Sequence, residues 1–203
     1  MIHPVLRSVL MSLLAIGVLA GCATREQRTE GAWLAERENW FAMYPDWRVT
    51  GRLSVSDGDQ GGQMSFDWQG QGLQHDLRLR SVVGGKQWRL MFNESSALIE
   101  GSDVGLLRAD DPDLLVSEVV GWPIPVSQLA WWLRGLKASE LDEVSFSEDG
   151  TMERIAFGDW SLNYVRYEQP SEGPLMPERV EALRPPYRVR MILRTWRWMD
   201  PAP

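Results

Sequence analysis

Few side chains in this sequence are placed to do chemistry. Of its 2 histidines, His3 lies in the apolar leader and His75 sits on the apolar side of an alternating segment. With His75 the one histidine after the leader and no Gly-x-Ser-x-Gly elbow, the sequence gives no hydrolytic triad. Gly84-Gly85-Lys86 is followed by Gln87 and lacks the first glycine of a phosphate loop, so it makes no nucleotide site. Asp110, Asp111 and Asp113 fall at a helix start, where the dipole favours negative charge, and Glu148-Asp149-Gly150 reads as a turn. Either acidic pair has the groups for glycoside hydrolysis, but nothing places a partner carboxylate opposite it. The expectation is a chain that is not an enzyme and needs no cofactor. One cysteine, Cys22, also excludes intrachain disulfides and thiolate zinc sites, so no metal is expected.

That cysteine is the one position with a clear chemical context. It follows Leu19-Ala20-Gly21 at the end of the apolar run Val9–Ala20, which is too short to span a bilayer and has the length of a signal-peptide core. Small residues leading into a lone cysteine look like a bacterial lipobox. This likeness implies a diacylglyceryl thioether on Cys22, cleavage before it and acylation of the new amino terminus. A secretory signal that ends near a buried cysteine is the alternative reading. Residues 1–21 are therefore expected to be a cleaved signal and residues 22–30 a lipidated cysteine with a polar tether (TREQRTE from Thr24), leaving residues 31–203 as one domain. Ala23, where inner-membrane retention uses Asp, implies an outer-membrane lipid anchor facing the periplasm.

The elements that follow the tether change period once. Trp33, Leu34, Arg37, Trp40, Phe41 and Tyr44 share one face of a helix that Pro45 stops. From Trp47 the period becomes two: Trp47, Val49, Leu53 and Val55; Met64, Phe66 and Trp68; His75, Leu77 and Leu79; then Trp88, Leu90 and Phe92 alternate with polar residues across Gly-rich turns. Asp111-Pro112 starts a second helix, and Ser127 is the expected cap of a third, with Leu129, Trp132 and Leu133 inward and Gly135 after it. Strands resume from Val144 to Leu193, with Gln169–Pro177 as a loop.

About ten strands with one apolar face and three short helices define the expected fold class: mainly β with a few α-helices, an antiparallel sheet too wide to stay flat. Curled on its apolar side, it forms an incomplete β-barrel with a helical lid. Two interiors are compatible with this, a fully packed core or an apolar cavity. Phe66, Trp68, Leu77, Leu79 and Trp132 are the candidate lining. The 11 tryptophans are more than core filling alone calls for. With 21 Lys and Arg against 28 Asp and Glu, the net charge of −7 argues against nucleic acid or an anionic membrane surface as partner, because each needs a basic face.

Trp47-x-x-x-Gly51-Arg52-Leu53, the Trp68 strand, Gly121-Trp122-Pro123-Ile124-Pro125-x-x-x-Leu129-x-x-Trp132-x-x-Gly135-Leu136 and a late Met176-Pro177 together resemble the LolB family. The resemblance covers nearly all of the mature chain. It implies an outer-membrane receptor, monomeric and without nucleotide hydrolysis. Such a receptor takes triacylated lipoprotein cargo from a LolA-like periplasmic carrier, holds the acyl chains in a cavity and inserts the cargo into outer-membrane lipid. It also gives Val82, Val83 and Gly84 a role, since family members carry a protruding Leu-Gly on the corresponding loop. Here Val83 replaces the Leu, and Val82 stands where Pro is common. An assembly lipoprotein that binds proteins without an acyl cavity is the alternative.

Overall fold

A computed structural model describes residues 30–199, and the signal, Cys22 and most of the tether lie outside them. Helix α1 (Glu30–Met43) is followed by a meander of six strands: β1 (Asp46–Ser56), β2 (Gly61–Gln71), β3 (Gln74–Ser81), β4 (Gln87–Asn93), β5 (Ser96–Gly101) and β6 (Gly105–Ala109). Helices α2 (Pro112–Val120) and α3 (Val126–Trp132) come next, then β7 (Glu143–Phe146), β8 (Met152–Phe157), β9 (Trp160–Glu168), β10 (Met176–Arg184) and β11 (Tyr187–Trp198). All eleven strands form one antiparallel sheet in the order β6-β5-β4-β3-β2-β1-β11-β10-β9-β8-β7. The two meanders meet where β1 pairs with β11, and β6 and β7 remain as edges, so the barrel is not closed.

Three glycines explain how large rings lie flat inside the curl. Gly51 is paired opposite Phe66, Gly70 opposite Trp47 and Gly101 opposite Trp88. A Cβ at any of the three would run into the ring it faces. Each glycine thus gives its cross-strand partner a seat on bare backbone, while the ring covers what the glycine leaves unpacked.

The helices plug the concave side. Trp33, Arg37 and Phe41 of α1 are buried, as the period of four requires. The Arg37 guanidinium lies 3.2 Å over the Trp33 ring and donates to the Leu175 carbonyl. Trp33 Nε1 in turn donates to the Gly135 carbonyl at 3.3 Å. Helix α2 begins where the sequence places it, with Asp111 accepting from the Asp113 and Leu114 amides and Gly121 closing the helix in the left-handed region. The start of α3 differs from expectation. Pro125 occupies the cap position, and the Ser127 amide donates to Asp113 Oδ1 at 2.9 Å, so α2 supplies the cap from fourteen residues away. Burial raises the pKa of that Asp113 carboxyl.

Candidate functional site

The interior divides into a filled half and an open half. At the end where β1 starts, Trp47, Trp68, His75, Phe92 and Trp196 pack ring against ring. Centroids are 6.2 Å apart for Trp47–Trp68, 5.8 Å for Trp47–Trp196 and 4.7 Å for the stacked His75–Phe92 pair. Arg134 roofs this cluster, with its guanidinium 5.0 Å from the Phe41 ring, 5.4 Å from Trp47 and 4.4 Å from Trp131. Burial lowers its pKa to about 10, so it stays charged at neutral pH. Burial, helped by the positive charge of Arg134, lowers the pKa of His75 to about 4, and its Nδ1 has no hydrogen-bond partner among the described residues. The imidazole is neutral in this environment and packs within the ring cluster.

The other half encloses an apolar cavity of about 270 Å³. Its sheet wall includes Leu53, Met64, Trp68, Leu77, Leu79, Trp88, Ile99 and Met191, and its roof is Val116, Val119 and Val120 of α2 with Ile124, Val126 and Leu129. Asp103 is the one charged side chain on the lining, and it is neutralised at the rim: Lys86 Nζ lies 2.7 Å away and Trp88 Nε1 donates at 2.8 Å.

Three of the five lining candidates, Trp68, Leu77 and Leu79, stand on this cavity. Phe66 and Trp132 do not. Phe66 is buried with its ring against Gly51, inside the wall. Trp132 belongs to the last turn of α3, where its Nε1 donates to Asp142 Oδ2 at 2.9 Å and its carbonyl accepts from Tyr164 Oη at 2.7 Å. Those bonds fix it against β9, in the packed core. The roof residues escaped the sequence reading, although Val116, Val119 and Val120 have the i, i+3, i+4 spacing of a helix face.

The strand register puts the cavity next to the turn that carries Val82, Val83 and Gly84. Met64 is paired with Ser81, the last position before that turn, and Leu79 with Trp88, one pair short of it. The turn is held by the Val82 amide donating to the Gln63 carbonyl at 2.9 Å and by Ser81 Oγ donating to the Val83 carbonyl at 2.6 Å. Gly84 and Gly85 follow with φ of 80° and 64°, values that glycine adopts without strain. Val82 and Val83 are left 61% and 83% exposed.

Residues 45–196 match the family model described as outer membrane lipoprotein LolB. A LolB outer-membrane lipoprotein of Xanthomonas campestris pv. campestris is 28% identical over 211 residues, covering 95% of this chain and 97% of its own length. That of Marinobacter nauticus is 30% identical over 207 residues, covering 96% and 100%. Among solved structures, a LolA superfamily protein from Nitrosomonas europaea superposes with a TM-score of 0.52 at 9% identity, covering 86% of this chain and 96% of the other, which is a likeness of fold.

Proposed function

The chain belongs to the LolB family of outer-membrane lipoproteins, and from that premise we propose that it accepts lipoproteins from a LolA-like periplasmic carrier, shelters their acyl chains in the apolar cavity and releases them into the outer membrane. Cys22 is its own lipid anchor, residues 22–30 its tether and residues 31–203 the working domain. The observation that carries this reading is the position of the cavity, whose wall strands β2 and β3 run into the turn that exposes a pair of valines. A triacylated cargo has roughly forty methylenes, and each costs about 0.8 kcal/mol to leave in water. Every step between carrier and bilayer must therefore hide the chains. An acceptor that hides them better than the carrier, and less well than the bilayer, moves cargo downhill without nucleotide.

The cavity of about 270 Å³ lies at the small end of ligand pockets and is roofed by two short helices. Cargo entry therefore requires α2 and α3 to lift from the sheet. In this reading Val82 and Val83 enter the lipid surface, and Gly84 lets the chain turn behind them. A lipoprotein loaded on its carrier and mixed with this chain in liposomes tests the proposal. Cargo should leave the carrier and reach the bilayer with no ATP present. Cargo that stays on the carrier, with both proteins folded, would support the assembly-lipoprotein alternative.

A further inference from the structure

The roof of the cavity is not uniform. Between α2 and α3 runs the strap Gly121-Trp122-Pro123-Ile124-Pro125, which is neither helix nor strand. Gly121 turns the chain into it in the left-handed region, with φ of 78°. The prolines fix their own φ and press Trp122 and Ile124 away from the helical region, so the strap is stiff. The Ser127 amide bond to Asp113 joins α3 to α2 independently of it. Among the described residues, one hydrogen bond ties the strap to the sheet: Trp160 Nε1 donates to the Pro123 carbonyl at 3.0 Å. Beside it, the Trp122 ring lies 5.9 Å from that of Tyr187, where β11 starts. Trp160 stands on the firm side of this contact. It opens β9 after the turn Gly158-Asp159, is paired with Phe157, and Asp159 lies 3.3 Å from Arg184 of β10. Ile124 is the wall between two spaces. On its inner side is the cavity of about 270 Å³. On its outer side is a pocket of about 290 Å³, bordered by Leu114 and Ser117 of α2, Gln128 of α3, and Phe157 and Trp160. Leu114 is 68% exposed there, an apolar side chain that folding leaves uncovered.

We infer that the Gly121–Pro125 strap is the gate of the acyl cavity and that Trp160 is the positioning residue that holds it shut. With the strap swung outward, the inner and outer spaces join into one of roughly twice the volume, and Leu114 becomes part of its wall. This inference deepens the acyl-binding role proposed for the cavity and rests on it. Opening has two costs. Ile124, half-buried, leaves its apolar contacts, and Trp160 loses its acceptor. An entering acyl chain takes the place of Ile124 against the cavity wall, so cargo offsets the first cost. A hydrocarbon chain has no acceptor for the indole N–H, so the second cost remains and sets how rarely the strap is open. A hydrogen bond of this kind shifts such an equilibrium by a few-fold to about tenfold. The competing reading is that Trp160 only packs the β8–β9 turn against the connector. The two readings differ in sign. A bond that serves the fold alone supports binding or leaves it untouched, whereas a catch opposes the entry of cargo.

The test uses the full lipidated chain in liposomes of phosphatidylethanolamine and phosphatidylglycerol. In an I124C background, acylation of Cys22 leaves position 124 as the only thiol, and its rate of labelling by a water-soluble maleimide without cargo reports how often the strap is open. W160F keeps a ring and removes the N–H. It should raise that rate by a few-fold to about tenfold and, in the chain with native Ile124, speed the departure of cargo from the carrier by a similar factor. W196F removes a comparable bond outside the strap, from Trp196 Nε1 to the Pro177 carbonyl, and should change neither rate. Y187A, which takes away the ring against Trp122, should act as W160F does and provides the test if W160F does not fold. Unchanged labelling in the folded variants would overturn the catch. Faster labelling with unchanged or slower uptake would overturn the strap as the entrance. An equal effect of W196F would overturn both, by showing a general loosening. A parent that takes no cargo would contradict the acyl-binding role itself, and the labelling rates would then still decide the catch.

Discussion

Val83 has the highest exposure of the large apolar side chains among the described residues, and folding gains nothing from it. Val83→Glu should leave the unfolding free energy within about 0.5 kcal/mol of the parent. Cargo uptake should also be unchanged while delivery into liposomes slows; a thermal melt beside the two transfer readouts checks this. Leu79 is the opposite case, half-buried on the cavity wall. Leu79→Glu should abolish binding of a fluorescent acyl probe, whereas Leu73→Glu, on an exposed turn, should not. His75 makes a pH prediction whose sign follows from its lowered pKa. The unfolded chain takes a proton near pH 6.5 and the folded chain only near pH 4. Stability from the neutral imidazole is therefore complete above pH 6.5 and is lost as pH falls from 6.5 to about 4, by up to about 3 kcal/mol. Urea titrations from pH 7 to 4 should show this loss, and His75→Phe should flatten it.

Among the elements, α2 is both a roof and a cap donor. Asp111→Ala removes the acceptor for two amides at its start and should cost about 1 kcal/mol, with faster hydrogen exchange in α2 than in β1. The sequence made β1 to β4 legible because every second residue is apolar. It did not do so for β5 and β6. In β5, Leu98 on the outer face interrupts the alternation of Ala97 and Ile99, and in β6 adjacent Leu106 and Leu107 cancel it. The cap of α3 was illegible for another reason, since its acceptor is the tertiary partner Asp113 and not the local Ser127. Strand parity placed Trp68, Leu77 and Leu79 on the right face and at the cavity. Parity alone does not separate them from Phe66, whose depth depends on the glycine across from it, and helix spacing did not tell which turn of α3 carries Trp132 away from the cavity.

At the scale of the whole molecule, one sheet carries two environments on its concave side. The tryptophan-filled half with its buried Arg134 is packed, and the half beneath α2 is an apolar space roofed by two short helices and the connector between them. The open edges β6 and β7 leave the lid segment between them joined to the sheet at its two ends, which suits a roof that must lift. The central claim is that this space, and not the outer face, receives the acyl chains. A cargo lipoprotein with a photoreactive group at the end of one acyl chain, passed from its carrier to the full-length chain and then illuminated, tests it directly. Cross-links should fall on cavity residues such as Leu77, Leu79, Trp88 and Val119. Efficient transfer with cross-links confined to the outer face, or absent from the protein altogether, would contradict the claim.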